Sequence, residues 1–263
     1  MEGQLPDYDS EQAVKDQARI PAYELDDRFV LRDGKRHPAA VICPGGAYRT
    51  VASFIEGVPV ARKLNELGIS AFIVYYRVGK AGLYPAPQED LARGIREVLA
   101  RSEEYCIDAE HYSLWGASAG GHLAAGFGTE AVGASHYGLP LPSAVVLMYP
   151  VITMDSACTH GETRDNLLGR DSVTAQQARL FSIDEQVTRK YPPTYLWCGD
   201  ADLSVPPENT LRMAAALQRN GVPVACEIFP GVGHGVGPGT GTAAEGWIER
   251  AVAFWLDQFI PRE

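Results

Sequence analysis

Cysteine is scarce. The 263-residue chain holds five, an odd number scattered along its length. That excludes a disulfide framework as the organising device. No two of them have metal-ligand spacing, so a zinc site is not expected, nor is any other metal or cofactor. Cys43 and Cys198 instead sit inside apolar runs, where a free thiol behaves as a small hydrophobe. Positive charge is also short. Lys and Arg number 23 against 33 Asp and Glu, a formal net charge of -10, which argues against nucleic acid or an anionic membrane as partner. No apolar run approaches a membrane span, and residues 1–18 are polar and acidic without the apolar centre of a signal peptide. A cytoplasmic chain with no membrane partner is expected. No linker-like stretch and no internal repeat appear, so residues 1–263 are read as one domain.

What is present is alternation. Short apolar runs at residues 39–43, 70–76, 112–115, 144–149, 194–198 and 224–229 read as strands. Helical spacing at residues 58–67, 89–101, 123–127, 209–219 and 243–259 falls between or after them. Residues 1–18 read as an arm or surface helix, and 20–31 as one or two edge strands. This pattern predicts an α/β fold: a mostly parallel central sheet with helices on both faces. A polar insertion over residues 153–190 reads as a small cap, with one helix over 173–181 capped by Asp171 or Ser172.

Reactive residues should then lie just after strands, because open parallel sheets bind ligands at their carboxyl ends. Gly116-Ala117-Ser118-Ala119-Gly120 follows one strand and opens a helix. Gly-x-Ser-x-Gly alone can be a plain turn in a chain with 27 Gly. In a strand–turn–helix context it lifts a serine hydroxyl clear of the sheet, over a helix N-terminus. Asp200 and Asp202 follow a second strand, and His234, with Gly on both sides, follows a third. A serine hydroxyl needs a neutral imidazole to take its proton and a carboxylate to orient that imidazole. The chain order Ser, Asp, His is that of α/β-hydrolases. In Gly-x-x-Asp-x-x-Val-Pro the acid is Asp202, while Asp200 sits closer to the strand end and shapes the turn.

The other histidines offer less. His37 and His111 read as solvated turn residues, and His122 as packed beneath the nucleophile. His136 and His160 fall in loops, with His160 a candidate for the pocket border. Pro44-Gly45-Gly46-Ala47-Tyr48 follows the first central strand and offers unobstructed N–H groups. Gly46, Ala47 and Ala119 are the expected oxyanion donors.

These motifs resemble the α/β-hydrolase esterases that carry His-Gly-Gly-Gly before the first crossover helix. The chain is most similar to the acetyl-xylan-esterase-like and feruloyl-esterase-like group, in which Pro replaces that His, as Pro44 does here. Tyr76-Arg77, Pro85-Ala86-Pro87 with Asp90, Asn166-Leu167-Leu168-Gly169, Pro192-Pro193-Thr194, Val205-Pro206 with Glu208-Asn209, and Gly233-His234-Gly235 extend the likeness from about residue 38 to the end. Ala47 departs from the third Gly, and Asp200-Ala201-Asp202 from the common Ala-Asp-Asp, which keeps the last Asp. The resemblance implies a serine esterase acting through an acyl-enzyme on a short acyl ester, with acetylated xylo-oligosaccharides or similar sugars as substrate. It also implies an Arg77–Asp90 ion pair that supports the active-site loop. Feruloyl esters, lipids and arylformamides remain alternatives on the same triad, as does a non-catalytic binding role.

Overall fold

Strands that are apolar at every position must be covered on both faces, and they lie at the centre of this molecule. The computed structural model describes residues 23–170 and 173–259. Within them, β1 (Glu24–Phe29), β2 (His37–Cys43), β3 (Ser70–Tyr75), β4 (Ile107–Ala117), β5 (Ala144–Met148), β6 (Thr194–Gly199) and β7 (Val224–Phe229) form one sheet in the order β1-β3-β2-β4-β5-β6-β7. Every residue of β3, β5 and β6 is buried, whereas the edge strand β7 alternates. All pairings are parallel except β1 with β3. The segment over 20–31 thus contributes one antiparallel edge strand; residues 1–18 lie outside the described part.

The order has a direction change. From β2 the chain crosses to β3 on one side, and from β4 it proceeds to β5, β6 and β7 on the other. Right-handed crossovers then place helices on opposite faces. Helices Val58–Glu66 and Trp247–Leu256 share one face, where Lys63 and Glu249 pair at 3.0 Å. Helices Ala86–Ala100, Ser118–Phe127 and Glu208–Arg219 fall on the other by the same rule.

Several expected bounds move for local reasons. The helix expected at 89 starts at Ala86, because a proline in the first turn, here Pro87, loses no hydrogen bond. The last helix is shorter than 243–259 because Gly246, at φ +80, turns the chain just before Trp247. The insertion holds two helices rather than one, Gly161–Leu168 and Ala175–Leu180. The second is capped by Thr174, whose hydroxyl accepts the Gln177 N–H at 3.1 Å, and not by Asp171 or Ser172, which lie outside the described residues. Nor are His37 and His111 free in solvent. His37 bonds the Gly68 carbonyl at 2.9 Å and Asp33 at 2.8 Å, and His111 stacks on Phe259 at 4.3 Å.

Candidate active site

The crevice where the sheet changes direction opens between the carboxyl ends of β2 and β4. Cys43 and Gly116 face each other there, so the chains leaving both strands meet at one level. Ser118 begins the helix immediately, five residues before the expected start, with φ +51. That left-handed conformation costs an L-residue roughly 1–2 kcal/mol, and tight packing holds it. A Cβ on Gly120 would lie 2.1 Å from the Cys43 carbonyl oxygen, and one on Gly116 would lie 2.4 Å from that of Gly120. Strand, turn and helix therefore touch backbone to backbone, which only glycine permits.

Ser118, Asp202 and His234 come together in one line. His234 Nδ1 lies 2.6 Å from Asp202 Oδ2, and Nε2 lies 2.9 Å from Ser118 Oγ. A carboxylate only accepts, so Nδ1 carries the proton and Nε2 is left to accept the Ser118 hydroxyl. The Asp202 side chain is fully buried and its other oxygen accepts the Ser204 and Val205 N–H groups, each at 2.9 Å. Asp200 points elsewhere: its carboxylate accepts the Gly231 N–H at 2.7 Å and braces the loop that carries His234. The Tyr149 ring packs edge-on against His234 at 4.7 Å.

The turn after β2 faces this line. Gly46 (φ +120), Ala47 (φ +56) and Tyr48 (φ +55) all have positive φ. The turn closes on itself through the Gly46 carbonyl, which accepts the Arg49 and Thr50 N–H groups at 2.9 and 3.1 Å. Among the described residues the Gly46 and Ala47 N–H groups have no acceptor. The Ala119 N–H lies in the first helical turn, where donors have no intrahelical partner. Outside contacts fix the turn: Tyr76 O–H donates to the Pro44 carbonyl, and Asn166 Nδ2 donates to that of Ala47 at 2.8 Å. Arg77 and Asp90 pair at 2.8 Å directly after Tyr76.

His122 is buried one helical turn beyond Ser118. Its Nε2 meets the Phe181 carbonyl at 2.8 Å and must donate, so Nδ1 accepts the Tyr48 hydroxyl at 3.1 Å. Burial pushes its pKa down to about 4. The unfolded chain takes this proton near the ordinary 6.5, and the folded protein resists it. Stability is therefore lost as pH falls from about 6.5 to about 4, by on the order of 3 kcal/mol from this group. Thermal unfolding of His122→Gln, which keeps a donor and an acceptor, is expected to lose that part of the acid slope.

The cleft over Ser118 has a volume of about 290 Å³. Arg49, Ser204 and His160 contribute to its wall, as expected of His160. His160 Nδ1 bonds Thr163 at 2.8 Å at the start of helix Gly161–Leu168, and burial lowers its pKa. A larger depression of about 740 Å³ lies apart from Ser118, among Asp184, Arg212 and Arg219. Two residues, one lining the cleft and one packed behind His234, were not singled out in the sequence. Glu56 is buried and accepts the Gly45 N–H at 2.7 Å. Tyr149, at φ +36, accepts the Gly237 N–H at 3.1 Å. Nothing in the sequence separates Glu56 from a surface carboxylate; Tyr149 stands just past a strand end, where the rule for parallel sheets places functional groups.

Among the described residues no helix is long and apolar enough to cross a membrane. The prolyl oligopeptidase family model matches residues 75–261. A solved acetyl ester-xyloside bifunctional hydrolase from Caldicellulosiruptor lactoaceticus is similar at 34% identity, over 87% of this chain and 85% of that one, with a TM-score of 0.76. An acetylxylan esterase from Xylanibacter ruminicola is 29% identical over 86% of this chain and 46% of its own length. An endo-1,4-beta-xylanase B from Butyrivibrio fibrisolvens is 30% identical over 83% of this chain and 35% of its own. The chain thus spans less than half the length of these two curated relatives. Its seven-stranded, mostly parallel sheet and these likenesses agree: the chain belongs to the prolyl oligopeptidase family, as an α/β-hydrolase-fold relative of acetylxylan and carbohydrate esterases.

Proposed function

We propose that this chain is a serine carboxylesterase that removes short acyl groups, chiefly acetyl, from xylo-oligosaccharides or similar sugars. The hydrogen-bonded line from Ser118 through His234 to Asp202, facing two N–H groups without acceptors, carries the reading. Ser118 Oγ attacks the ester carbonyl as His234 Nε2 takes its proton. The Gly46, Ala47 and Ala119 N–H groups receive the negative charge that develops on the carbonyl oxygen. Collapse expels the alcohol, which leaves with the proton from His234. Water, deprotonated by the same imidazole, then releases the acid and restores the serine. Asp202 holds the imidazole in its tautomer throughout and offsets the charge of the imidazolium.

The cleft of about 290 Å³ is suited to a short acyl group, and Arg49, Ser204 and His160 provide polar groups for a hydroxylated alcohol. The names of the Xylanibacter and Caldicellulosiruptor relatives point to acetyl groups on xylose-based sugars. Acetate release from acetylated xylo-oligosaccharides, measured beside p-nitrophenyl acetate, tests this. Release from both is expected. Cleavage of the aryl ester alone would keep the acyl transfer and discard the sugar.

A further inference from the structure

Glu56 is a buried titratable group at the cleft that the triad does not use. It is 4% exposed, in the short helix Ser53–Glu56 that follows the turn after β2. Its Oε2 accepts the Gly45 N–H at 2.7 Å, one residue before the expected oxyanion donors. A Cβ on Gly45 would lie 2.7 Å from that oxygen and 2.7 Å from Ser118 Cβ. Only backbone thickness thus separates the carboxylate from the nucleophile. On its other side stands the Tyr149 hydroxyl. That hydroxyl accepts the Gly237 N–H at 3.1 Å, while the Tyr149 ring packs against His234. One carboxylate therefore holds the oxyanion turn and stands in the wall of the same cleft as His234. Burial raises its pKa, while the Gly45 N–H, His234 and Tyr149 each favour its charged form.

We propose that Glu56 is a positioning residue for acyl transfer: its carboxylate fixes the oxyanion turn through Gly45 and, as a second negative charge facing His234, favours the imidazolium that forms when Ser118 attacks. The role rests on the triad assigned above. The other groups around His234 are Asp202 after β6, Tyr149 after β5, Ser118 after β4 and His160 before helix Gly161–Leu168. Arg49 also reaches the cleft and pairs with Glu162 at 3.2 Å. Asp202 is hydrogen-bonded to the ring and orients it. Glu56 acts through space and through the turn, so removing its charge leaves the tautomer of His234 intact.

The test compares Glu56→Gln, Glu56→Asp and Ser118→Ala with the native chain, using p-nitrophenyl acetate. Glutamine keeps an oxygen for the Gly45 N–H but carries no charge. Glu56→Gln is expected to lower kcat by about ten- to a hundredfold with KM nearly unchanged, since the oxyanion donors act in the transition state. The acid limb of kcat/KM should also move to lower pH by roughly half a unit or more. Glu56→Asp keeps the charge and shortens the reach, so its kcat should fall while its acid limb stays near the native position. A merely structural role would lower activity or unfolding temperature without moving the limb. If Glu56→Gln folds and its limb does not move, or its kcat stays within about twofold of native, the inference is overturned. Should Glu56→Gln fail to fold, an unchanged kcat in Glu56→Asp overturns it instead. Turnover retained by Ser118→Ala would sink the triad itself, a separate failure.

Discussion

Ser118→Ala is expected to lower kcat/KM for p-nitrophenyl acetate by at least about 10⁴-fold, leaving only the weak catalysis that oxyanion donors and binding supply. The fold should survive. Ser118 lies where its own backbone is strained at φ +51, and alanine adopts that conformation no less easily than serine. The surroundings that impose it, the glycine contacts at Gly116 and Gly120, are untouched by the change. The substitution removes a single side-chain bond, the one to His234 Nε2. Unfolding temperature should therefore shift little while turnover vanishes, and steady-state kinetics beside a thermal melt read both. Substantial turnover in a folded variant would mean that another group makes the acyl-enzyme, or that none forms.

The second large effect separates two aspartates two residues apart. Asp202→Asn should cost about 10³- to 10⁴-fold in kcat, because an amide in place of Oδ2 can donate to the ring and stabilise the wrong tautomer, with Nε2 protonated against Ser118. Asp200→Asn should cost less than about tenfold, because an asparagine oxygen still accepts the Gly231 N–H. The difference has a geometric origin. Asp202 is fully buried and receives two N–H groups on one oxygen, so its other oxygen is aimed at Nδ1. Asp200 is exposed and bonded to the turn. Equal losses in the two variants would show that loop bracing, not tautomer control, is what both residues supply.

Much of the fold was legible because the parallel core consists of continuous apolar runs whose only stable place is between two layers of helix. Residues 39–43, 70–76 and 144–149 were recognisable for that reason, and the order of turns and helices followed. The direction of β1 was not legible. An edge strand pairs on one side only, and weak alternation does not say which way it runs. The helix Gly161–Leu168 was also missed, because it is polar over most of its length and is held by contacts such as Asn166 with Ala47 rather than by an apolar stripe. Within the site, residues that follow strands could be read in the sequence: Ser118, Asp202 and His234, which hydrogen bonds bring together, and Gly46, Ala47 and Ala119, the proposed oxyanion donors. Glu56 could not, since its importance comes from burial beside Gly45, and burial of a carboxylate is a property of the assembled molecule.

The bond between Ser118 and His234 closes a loop of 116 residues. For a flexible chain, bringing such ends together costs roughly 4 kcal/mol in entropy, against about 1 kcal/mol returned by a typical hydrogen bond. This contact therefore cannot assemble itself. It exists because β4, β5, β6 and β7 are already laid side by side, each delivering its end to the same level. During refolding, turnover should therefore return only after the far strand β7 has docked. Loosening that edge removes activity even while β2 and β4 still hold the serine and the oxyanion turn in place.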